Sequence, residues 1–192
     1  MRPDVQAAKT ALRQKIRAAL EKISTAVRAV ESIELCERLK PQLQSARTIL
    51  FFAPLPGELD LWPLLEEAAR EGKKVALPWF DPVAQTYRAR RVENLTREIV
   101  TGKFGVREPA ASCVEIPLDR FDLALVPGVA FDLSGNRLGR GQGHYDRLLA
   151  KISGVKCGVS YDFQLVGEIP NEPHDARVDF VLTPVRCVKV AG

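Results

Sequence analysis

The stretch DLALVPGVAFDLSGNRLGRGQGHYDRLL, residues 122–149, places a loop rich in glycine and arginine between a strand and a helix. Its first ten residues, 122–131, form an apolar run of the length that a buried strand needs. Turn residues follow at 132–136, and helical periodicity resumes at His144. A strand, a loop and a helix in this succession are typical of a parallel α/β sheet.

The loop within this stretch, RLGRGQGHYDR (137–147), has a composition that regular structure does not favour. Glycine inside a helix or strand costs about 0.5–1 kcal/mol relative to alanine, and three glycines alternate here. In open α/β sheets, ligands bind beyond the carboxyl ends of the strands, where this loop is expected to lie. Glycine lets backbone N–H groups approach a phosphate closely, and arginine adds charge-assisted hydrogen bonds. The segment fits neither the Walker A nor the GxGxxG pattern, so it predicts an anion site of another kind; a tight solvated turn is the alternative.

The rest of the chain alternates helical and strand patterns. This alternation predicts one three-layer α/β/α domain over residues 1–192, with a mostly parallel sheet. Ser24 is expected to cap the second helix. The predicted helices cover 5–23, 25–43, 59–72 and 144–152, and the predicted strands cover 48–53, 73–78, 87–92, 122–131, 156–161 and 179–184.

Composition and charge restrict the function classes. The chain has 192 residues, of which 46% are hydrophobic, and these values predict a globular protein with a full core. A net charge of +4 is compatible with anionic ligands but too small to predict nucleic-acid binding. No apolar run reaches the roughly eighteen residues of a membrane span, and the N-terminus lacks an apolar signal core, so no membrane association is expected.

The cysteines indicate a reducing compartment. Four of them are scattered along the chain without a CxxC pair or a zinc-site spacing. We expect reduced, mostly buried thiols in a cytoplasmic protein, at Cys36, Cys113, Cys157 and Cys187.

Residues 126–149 closely resemble the signature of the 5-formyltetrahydrofolate cyclo-ligase family, also called 5,10-methenyltetrahydrofolate synthetase. Other segments match the family in the expected order and extend the resemblance over almost the whole chain. They are KTALR (9–13), GELD (57–60), FGVREP (104–109) and QLVGEIPNEPHDARVDFVLTP (164–184).

The resemblance implies a three-layer α/β fold and a reaction. The family uses ATP and Mg²⁺ to cyclise 5-formyltetrahydrofolate to 5,10-methenyltetrahydrofolate, with release of ADP and phosphate. The formyl oxygen would attack the γ-phosphate, and N10 would then close the ring as phosphate leaves. 5-Formyltetrahydrofolate and ATP are therefore the expected partners, and we expect a cytoplasmic monomer, with a homodimer as the alternative.

Compared position by position, the same resemblance implies which residues form the site. Arg137, Arg140 and Tyr145 are the expected catalytic residues, and Asp146 and Asp175 match the positions that the family associates with Mg²⁺. The expected ATP-binding residues are Lys9, Arg13, Arg137, Gly139, Arg140, Gly141, Gln142, Gly143, His144 and Tyr145. Folate is expected to bind Glu58 together with Arg140, Gly141, Gln142, Gly143 and His144.

Residue type alone supports two interpretations of the role of Asp146 equally. A carboxylate in the first turn of a helix complements the helix dipole, and it is also a ligand that Mg²⁺ prefers. If Asp146 holds Mg²⁺, we expect its replacement to reduce turnover and to change stability little, because a first-turn carboxylate contributes only about 0.3–1 kcal/mol through the helix dipole.

The chain departs from the family signature at three positions. His144 replaces the first tyrosine of a Tyr-Tyr-Asp sequence, Gln142 replaces a glycine or lysine, and Leu61 replaces a threonine. Two alternatives to a cyclo-ligase function stay open. One is a phosphate-binding enzyme of another class on a related scaffold, such as a sugar-phosphate isomerase or a CoA transferase. The other is a folate- or nucleotide-binding regulator that has lost turnover.

Overall fold

A central sheet of eight strands organises the chain, with helices on both faces. The computed structural model describes residues 3–102, 105–172 and 175–190. Within these ranges the helices are α1 (Pro3–Leu20), α2 (Thr25–Gln44), α3 (Trp62–Arg70), α4 (Leu95–Glu98) and α5 (His144–Leu149). The strands are β1 (Thr48–Leu50), β2 (Lys74–Asp81), β3 (Thr86–Val92), β4 (Ile99–Thr101), β5 (Arg107–Pro109), β6 (Glu115–Ile116), β7 (Leu123–Pro127), β8 (Ala130–Asp132), β9 (Arg137–Leu138), β10 (Val155–Val159), β11 (Leu165–Val166), β12 (Phe180–Leu182) and β13 (Cys187–Lys189).

The strand order in the large sheet is β13-β12-β10-β7-β1-β2-β3-β6. The five strands from β12 to β2 are mutually parallel, which confirms the predicted parallel sheet. The outer strands are antiparallel: β13 pairs with β12 at one edge, and β3 pairs with β2 and with the other edge strand, β6. The carboxyl ends of the five parallel strands therefore meet along one edge, where a ligand cavity is expected.

Apolar residues alternate between the two faces of the sheet. Ile49 and Phe51 belong to the core cluster under α2 and α3, whereas Leu50 belongs to the cluster under α5. This alternation follows from the two-residue repeat of a strand and gives the predicted three layers. Helix α1 packs against the small sheet of β11, β8 and β9, since Ile16 shares a buried cluster with Ala130 and Leu138, and its Leu20 also packs against the cluster under α2 and α3.

The predicted single strand over 122–131 is wrong. Strand β7 ends at Pro127, and β8 belongs to the small sheet. The cause is the fully buried ring of Phe131, which folds back over the large sheet. A Cβ on Gly128 would lie 2.6 Å from this ring, and a Cβ on Gly158 would lie 2.7 Å from it. The two glycines thus make room for the turn, and the chain leaves the large sheet at the edge where the parallel strands end.

Helix positions differ from the sequence prediction at their ends. Ser24 caps α2 as predicted, because its hydroxyl accepts a hydrogen bond from the Val27 amide at 3.2 Å. Helix α3 begins at Trp62, three residues later than predicted, and α5 ends at Leu149 rather than at 152. Ile152 instead donates its amide to Leu149 in a turn. No helix in the described ranges is both long and apolar enough to cross a membrane.

Asp122 joins β7 to β1 at the opposite end of the sheet from the parallel carboxyl ends. Its Oδ2 accepts hydrogen bonds from the backbone amides of Thr48 and Arg47, each at 2.8 Å. These two bonds hold the pKa of the Asp122 carboxyl below its ordinary value.

We expect Gly158→Ala to lower the free energy of unfolding by about 1–3 kcal/mol, the usual range for overpacking a core. The added methyl group would press on the buried Phe131 ring. Gly167→Ala is the matched control, because a Cβ there meets no atom within 4 Å. Urea denaturation of both variants measures the difference, and equal stability would contradict the proposed role of Phe131.

Asp122→Asn should alter the dependence of stability on pH. A carboxyl whose pKa is lower in the folded state stabilises the protein fully above the unfolded value of about 3.9. This contribution is lost as the pH falls through the folded pKa. The difference in unfolding free energy between wild type and variant should therefore be largest near neutral pH and shrink in acid. Urea denaturation at a series of pH values tests this, and a constant difference would refute it.

Candidate active site

A cavity of about 540 Å³ opens beyond the carboxyl ends of β1, β2 and β7. Phe52 follows β1, Phe80 lies near the end of β2, and Gly128 follows β7. This volume lies within the usual range for a small-molecule site. Most of the predicted site residues line the cavity: Glu58, Arg137, Gly139, Arg140, Gln142, Gly143, His144, Tyr145 and Asp146.

The glycine loop, residues 137–147, has the backbone conformation that its glycine content suggests. Gly141 and Gly143 have φ values of 102° and 65°, in the left-handed region that side chains rarely adopt. Gly143 directly precedes α5. The loop carbonyl of Gly139 accepts a hydrogen bond from Arg13 Nε at 2.9 Å. Helix α1 therefore fixes the position of the loop from outside the cavity wall.

Lys9 and Arg13, one turn apart on α1, contact different segments. The buried Lys9 Nζ donates to Asp175 Oδ2 at 2.6 Å and lies 3.4 Å from Glu172 Oε2. Burial lowers the pKa of Arg13, and the nearby charge of Asp175 opposes that shift. Of the predicted site residues, four do not line the cavity: Lys9, Arg13, Gly141 and Asp175. Gly141 belongs to the loop, whereas Arg13 contacts the loop from outside the cavity and Lys9 pairs with Asp175.

A buried ion pair joins the start of the loop to α5. Arg137, whose side chain is 3% exposed, donates from Nη2 to Asp146 Oδ1 at 2.8 Å. Its Nη1 donates to the Pro127 carbonyl at 3.3 Å, and its guanidinium carbon lies 5.6 Å from the centroid of the Tyr145 ring. The expectation that Asp146 acts on stability only through the helix dipole is therefore wrong, because its carboxylate neutralises a desolvated cation.

A second ion pair crosses the mouth of the cavity. Arg140 Nη2 donates to Glu58 Oε1 at 2.7 Å, and Glu58 Oε2 accepts from the Leu55 amide at 3.0 Å. The Arg140 side chain is 61% exposed, whereas that of Glu58 is 20% exposed. Exposed ion pairs contribute only about 0–1 kcal/mol, so Arg140 can leave Glu58 at little cost.

Aromatic rings form one wall of the cavity. His144 packs edge-on against Phe80 and Tyr87, with centroid separations of 5.1 and 5.7 Å. Tyr87 also lies 5.7 Å from Tyr145. Burial, with a smaller effect of Arg147, lowers the pKa of His144, so its ring is neutral at neutral pH. Burial raises the pKa of Tyr145, which keeps its hydroxyl protonated.

Sequence reasoning missed the residues that the β2–β3 hairpin and β5 contribute. Phe80, Gln85, Tyr87 and Glu108 line the cavity, and burial raises the pKa of Glu108. Glu108 lies in segment 104–109, which matches the family but contains no predicted site residue. The β2–β3 hairpin has no local sequence pattern that indicates binding. Phe104 of that segment, and His174 of the closing segment, lie outside the described residues.

The two carboxylates expected to hold Mg²⁺ lie on neighbouring segments. The Ala176 amide, next to Asp175, donates to Asp146 Oδ1 at 3.3 Å. The described residues contain no group of three or more histidine, cysteine or acidic side chains arranged to hold a metal.

The fold and the cavity at the carboxyl edge of the parallel strands define an α/β enzyme. More narrowly, the chain belongs to the 5-formyltetrahydrofolate cyclo-ligase family, whose sequence profile matches residues 5–184. This confirms the family, the fold class and the ligase activity that the sequence predicts.

Relatives and solved structures agree with that membership. A 5-formyltetrahydrofolate cyclo-ligase of Escherichia coli is 36% identical over 148 residues, which cover 75% of this chain and 81% of the relative. One from Mycolicibacterium smegmatis is 35% identical over 183 residues, covering 93% of this chain and 92% of the relative. The NMR structure of Aquifex aeolicus 5,10-methenyltetrahydrofolate synthetase superposes with a TM-score of 0.87 at 33% identity, covering 96% of this chain and 93% of that one.

Asp146→Asn should lower the free energy of unfolding by about 3 kcal/mol, as when one partner of a buried ion pair is removed. The variant would leave the Arg137 guanidinium buried without a counter-charge. Glu37→Gln is the control, because its ion pair with Lys40 is exposed and should contribute little to stability. Urea denaturation at neutral pH compares the two, and similar losses would refute the proposed role of the buried pair.

Proposed function

We propose that this protein converts 5-formyltetrahydrofolate and ATP to 5,10-methenyltetrahydrofolate, ADP and phosphate in the 540 Å³ cavity. The observation that carries the proposal is the position of Glu58 opposite the glycine loop. The carboxylate that the family resemblance associates with folate and the loop adapted to phosphate line the same cavity. Such an arrangement brings the formyl group and the terminal phosphate together.

The reaction needs positioning and charge neutralisation more than a protein nucleophile. The formyl oxygen attacks the γ-phosphorus, the bond to ADP breaks, and an imidate phosphate forms. N10 then attacks the former formyl carbon, phosphate leaves with its oxygen, and N10 gives up its proton. Phosphorylation thus turns a poor leaving oxygen into a good one.

The glycine loop and its cations would bind ATP. The phosphates would be cradled by the loop glycines Gly139, Gly141 and Gly143, together with the neighbouring Gln142 and His144. Arg137 is held rigidly by Asp146, so it would supply a fixed positive charge for the transferring phosphoryl group. Arg140 is exposed and would move from Glu58 to the phosphates when both substrates bind. Lys9 and Arg13 would support this loop and add positive charge next to it.

The pterin ring would lie between Glu58 and the aromatic wall. The Glu58 carboxylate accepts hydrogen bonds, which suits the N–H donors on one edge of a pterin. Phe80, Tyr87, His144 and Tyr145 offer ring surfaces against which a flat heterocycle packs well. His144 retains an aromatic ring at the position where the family signature has tyrosine. The departure therefore preserves the wall.

Mg²⁺ is part of the proposal, with Asp146 and Asp175 as its protein ligands. The donor chemistry fits, because hard divalent cations prefer carboxylate oxygens. The described hydrogen bonds of the Asp146 carboxylate, from Arg137 and from the Ala176 amide, are both to Oδ1. A bound Mg²⁺ would neutralise the charge of the ATP phosphates, while Arg137 keeps the Asp146 carboxylate in place.

The remaining expectations belong to the same proposal. A single domain over residues 1–192 is supported by the family match, which runs nearly from end to end. A cytoplasmic location is supported by four free cysteines. We propose a monomer that acts on small molecules, without nucleic acid or membrane as a partner, and a homodimer is the alternative.

The absorbance of 5,10-methenyltetrahydrofolate provides the direct assay. Purified protein with 5-formyltetrahydrofolate, ATP and Mg²⁺ should form product, and omission of ATP should abolish it. Thermal stabilisation by sugar phosphates or CoA but not by ATP with Mg²⁺ would instead favour an enzyme of another class. Binding of both substrates without product would indicate a regulator that has lost turnover.

Arg140→Ala should raise the KM for ATP about tenfold, which corresponds to about 1.4 kcal/mol. Because the side chain is exposed, the melting temperature should stay close to that of wild type. Arg120→Ala is the control and should leave the KM for ATP unchanged, because this exposed arginine lies just before β7, at the end of that strand opposite the cavity. If both variants bind ATP as wild type does, Arg140 has no place in the phosphate site.

A further inference from the structure

A small side cavity of about 20 Å³ adjoins the main cavity. The two share Phe52, Glu58, Pro127 and Gly128 as wall residues, so the small one is a side chamber next to Glu58. Ser160, which follows β10, contributes the only hydroxyl to its lining in the described residues. None of the motifs in the sequence drew attention to this position.

The Ser160 hydroxyl is buried without a partner. The residue is 3% exposed, and its Oγ has no hydrogen bond within the described part of the chain. The neighbouring Gln164 is fully engaged: its Nε2 donates to Gly128 and Val129 carbonyls at 3.1 and 2.9 Å, and its Oε1 accepts from the Tyr161 amide at 2.9 Å. Glu58, which also lines the chamber, accepts hydrogen bonds from Arg140 and from the Leu55 amide. Of the polar side chains in this lining, Ser160 is therefore the one that has no hydrogen bond within the described residues.

A buried hydroxyl without a hydrogen bond is destabilising, so a partner from outside the chain is the physical explanation. The chamber has room for one polar atom, since a water needs about 10–15 Å³ of the same kind of space. A lone water also needs two to four polar partners. Phe52, Leu59 and Val159 offer none, and Glu58 and Gln164 already have hydrogen-bond partners within the chain. A ligand held by its own larger contacts does not have this requirement.

We propose that Ser160 binds one polar substituent of the pterin ring, and this rests on the proposed function. In a pterin, an amino group and an oxo group flank a ring N–H. A carboxylate such as Glu58 can accept a hydrogen bond from that N–H. A substituent next to that N–H would enter the chamber beside Glu58. The serine hydroxyl both donates and accepts, so it suits either group. Ser160 is thus a specificity-determining contact at the closed end of the folate site.

Ser160→Ala provides the test, with Ser134→Ala, at an exposed loop serine, as the control. Ser160→Ala should raise the KM for 5-formyltetrahydrofolate five- to tenfold and leave kcat and the KM for ATP unchanged. The melting temperature of the free protein should stay the same or rise, because the variant removes an unsatisfied group. Ser160→Val, which also fills the chamber, should raise that KM further. The control should match wild type throughout.

Binding measurements separate this inference from the proposed function. 5-Formyltetrahydrofolate alone should raise the melting temperature of wild type by more than that of Ser160→Ala, whether or not product forms. Absence of turnover with this pattern of binding would overturn the proposed function but support the contact. An unchanged KM and an unchanged ligand-induced shift in Ser160→Ala would overturn the contact. A lower melting temperature of the free variant with normal folate binding would also overturn it, since it would indicate a structural water.

Discussion

The buried ion pair between Arg137 and Asp146 is the interaction on which the site depends. It joins the first residue of the glycine loop to the first turn of α5, and Arg137 also reaches the carbonyl of Pro127 at the end of β7. These two hydrogen bonds of Arg137 fix β7, the glycine loop and α5 relative to each other. Because both charges are largely removed from water, neither is stable without the other. The loop can therefore be rich in glycine and still hold one shape.

The two arginines of the loop differ in their surroundings, and this separates their roles. Arg137 is buried and fixed, whereas Arg140 is mostly exposed and paired with Glu58 across the cavity mouth. A fixed cation gives preorganised electrostatic stabilisation, which costs no reorganisation during a reaction. An exposed cation can exchange one anionic partner for another. Because Arg140 is the ion-pair partner of Glu58, a movement of Arg140 changes the charge environment of Glu58. The parts of the cavity that we propose for folate and for phosphate are therefore physically connected.

The shape of the cavity depends on the turn after β7. Phe131 folds over the sheet at two glycines, Gly128 and Gly158, and carries the chain out of the sheet into the small sheet of β8, β9 and β11. The long β2–β3 hairpin supplies the opposite wall with Phe80 and Tyr87. Helix α1 braces the loop through Arg13, although it lies more than a hundred residues away in sequence. The site is thus assembled from segments that have no local relation to each other.

The sequence by itself determined the parallel sheet, the Ser24 cap, the strand over 87–92 and the position of the glycine loop. These features depend on local periodicity, capping chemistry and glycine content, which neighbouring residues specify. It also identified the family, because long ordered motifs are specific. Only the tertiary structure decided the break at Gly128, the counter-charge of Arg137, the aromatic wall and the buried hydroxyl of Ser160. Each of these requires knowing which distant side chains meet and how much space lies between them, and no local pattern encodes such distances.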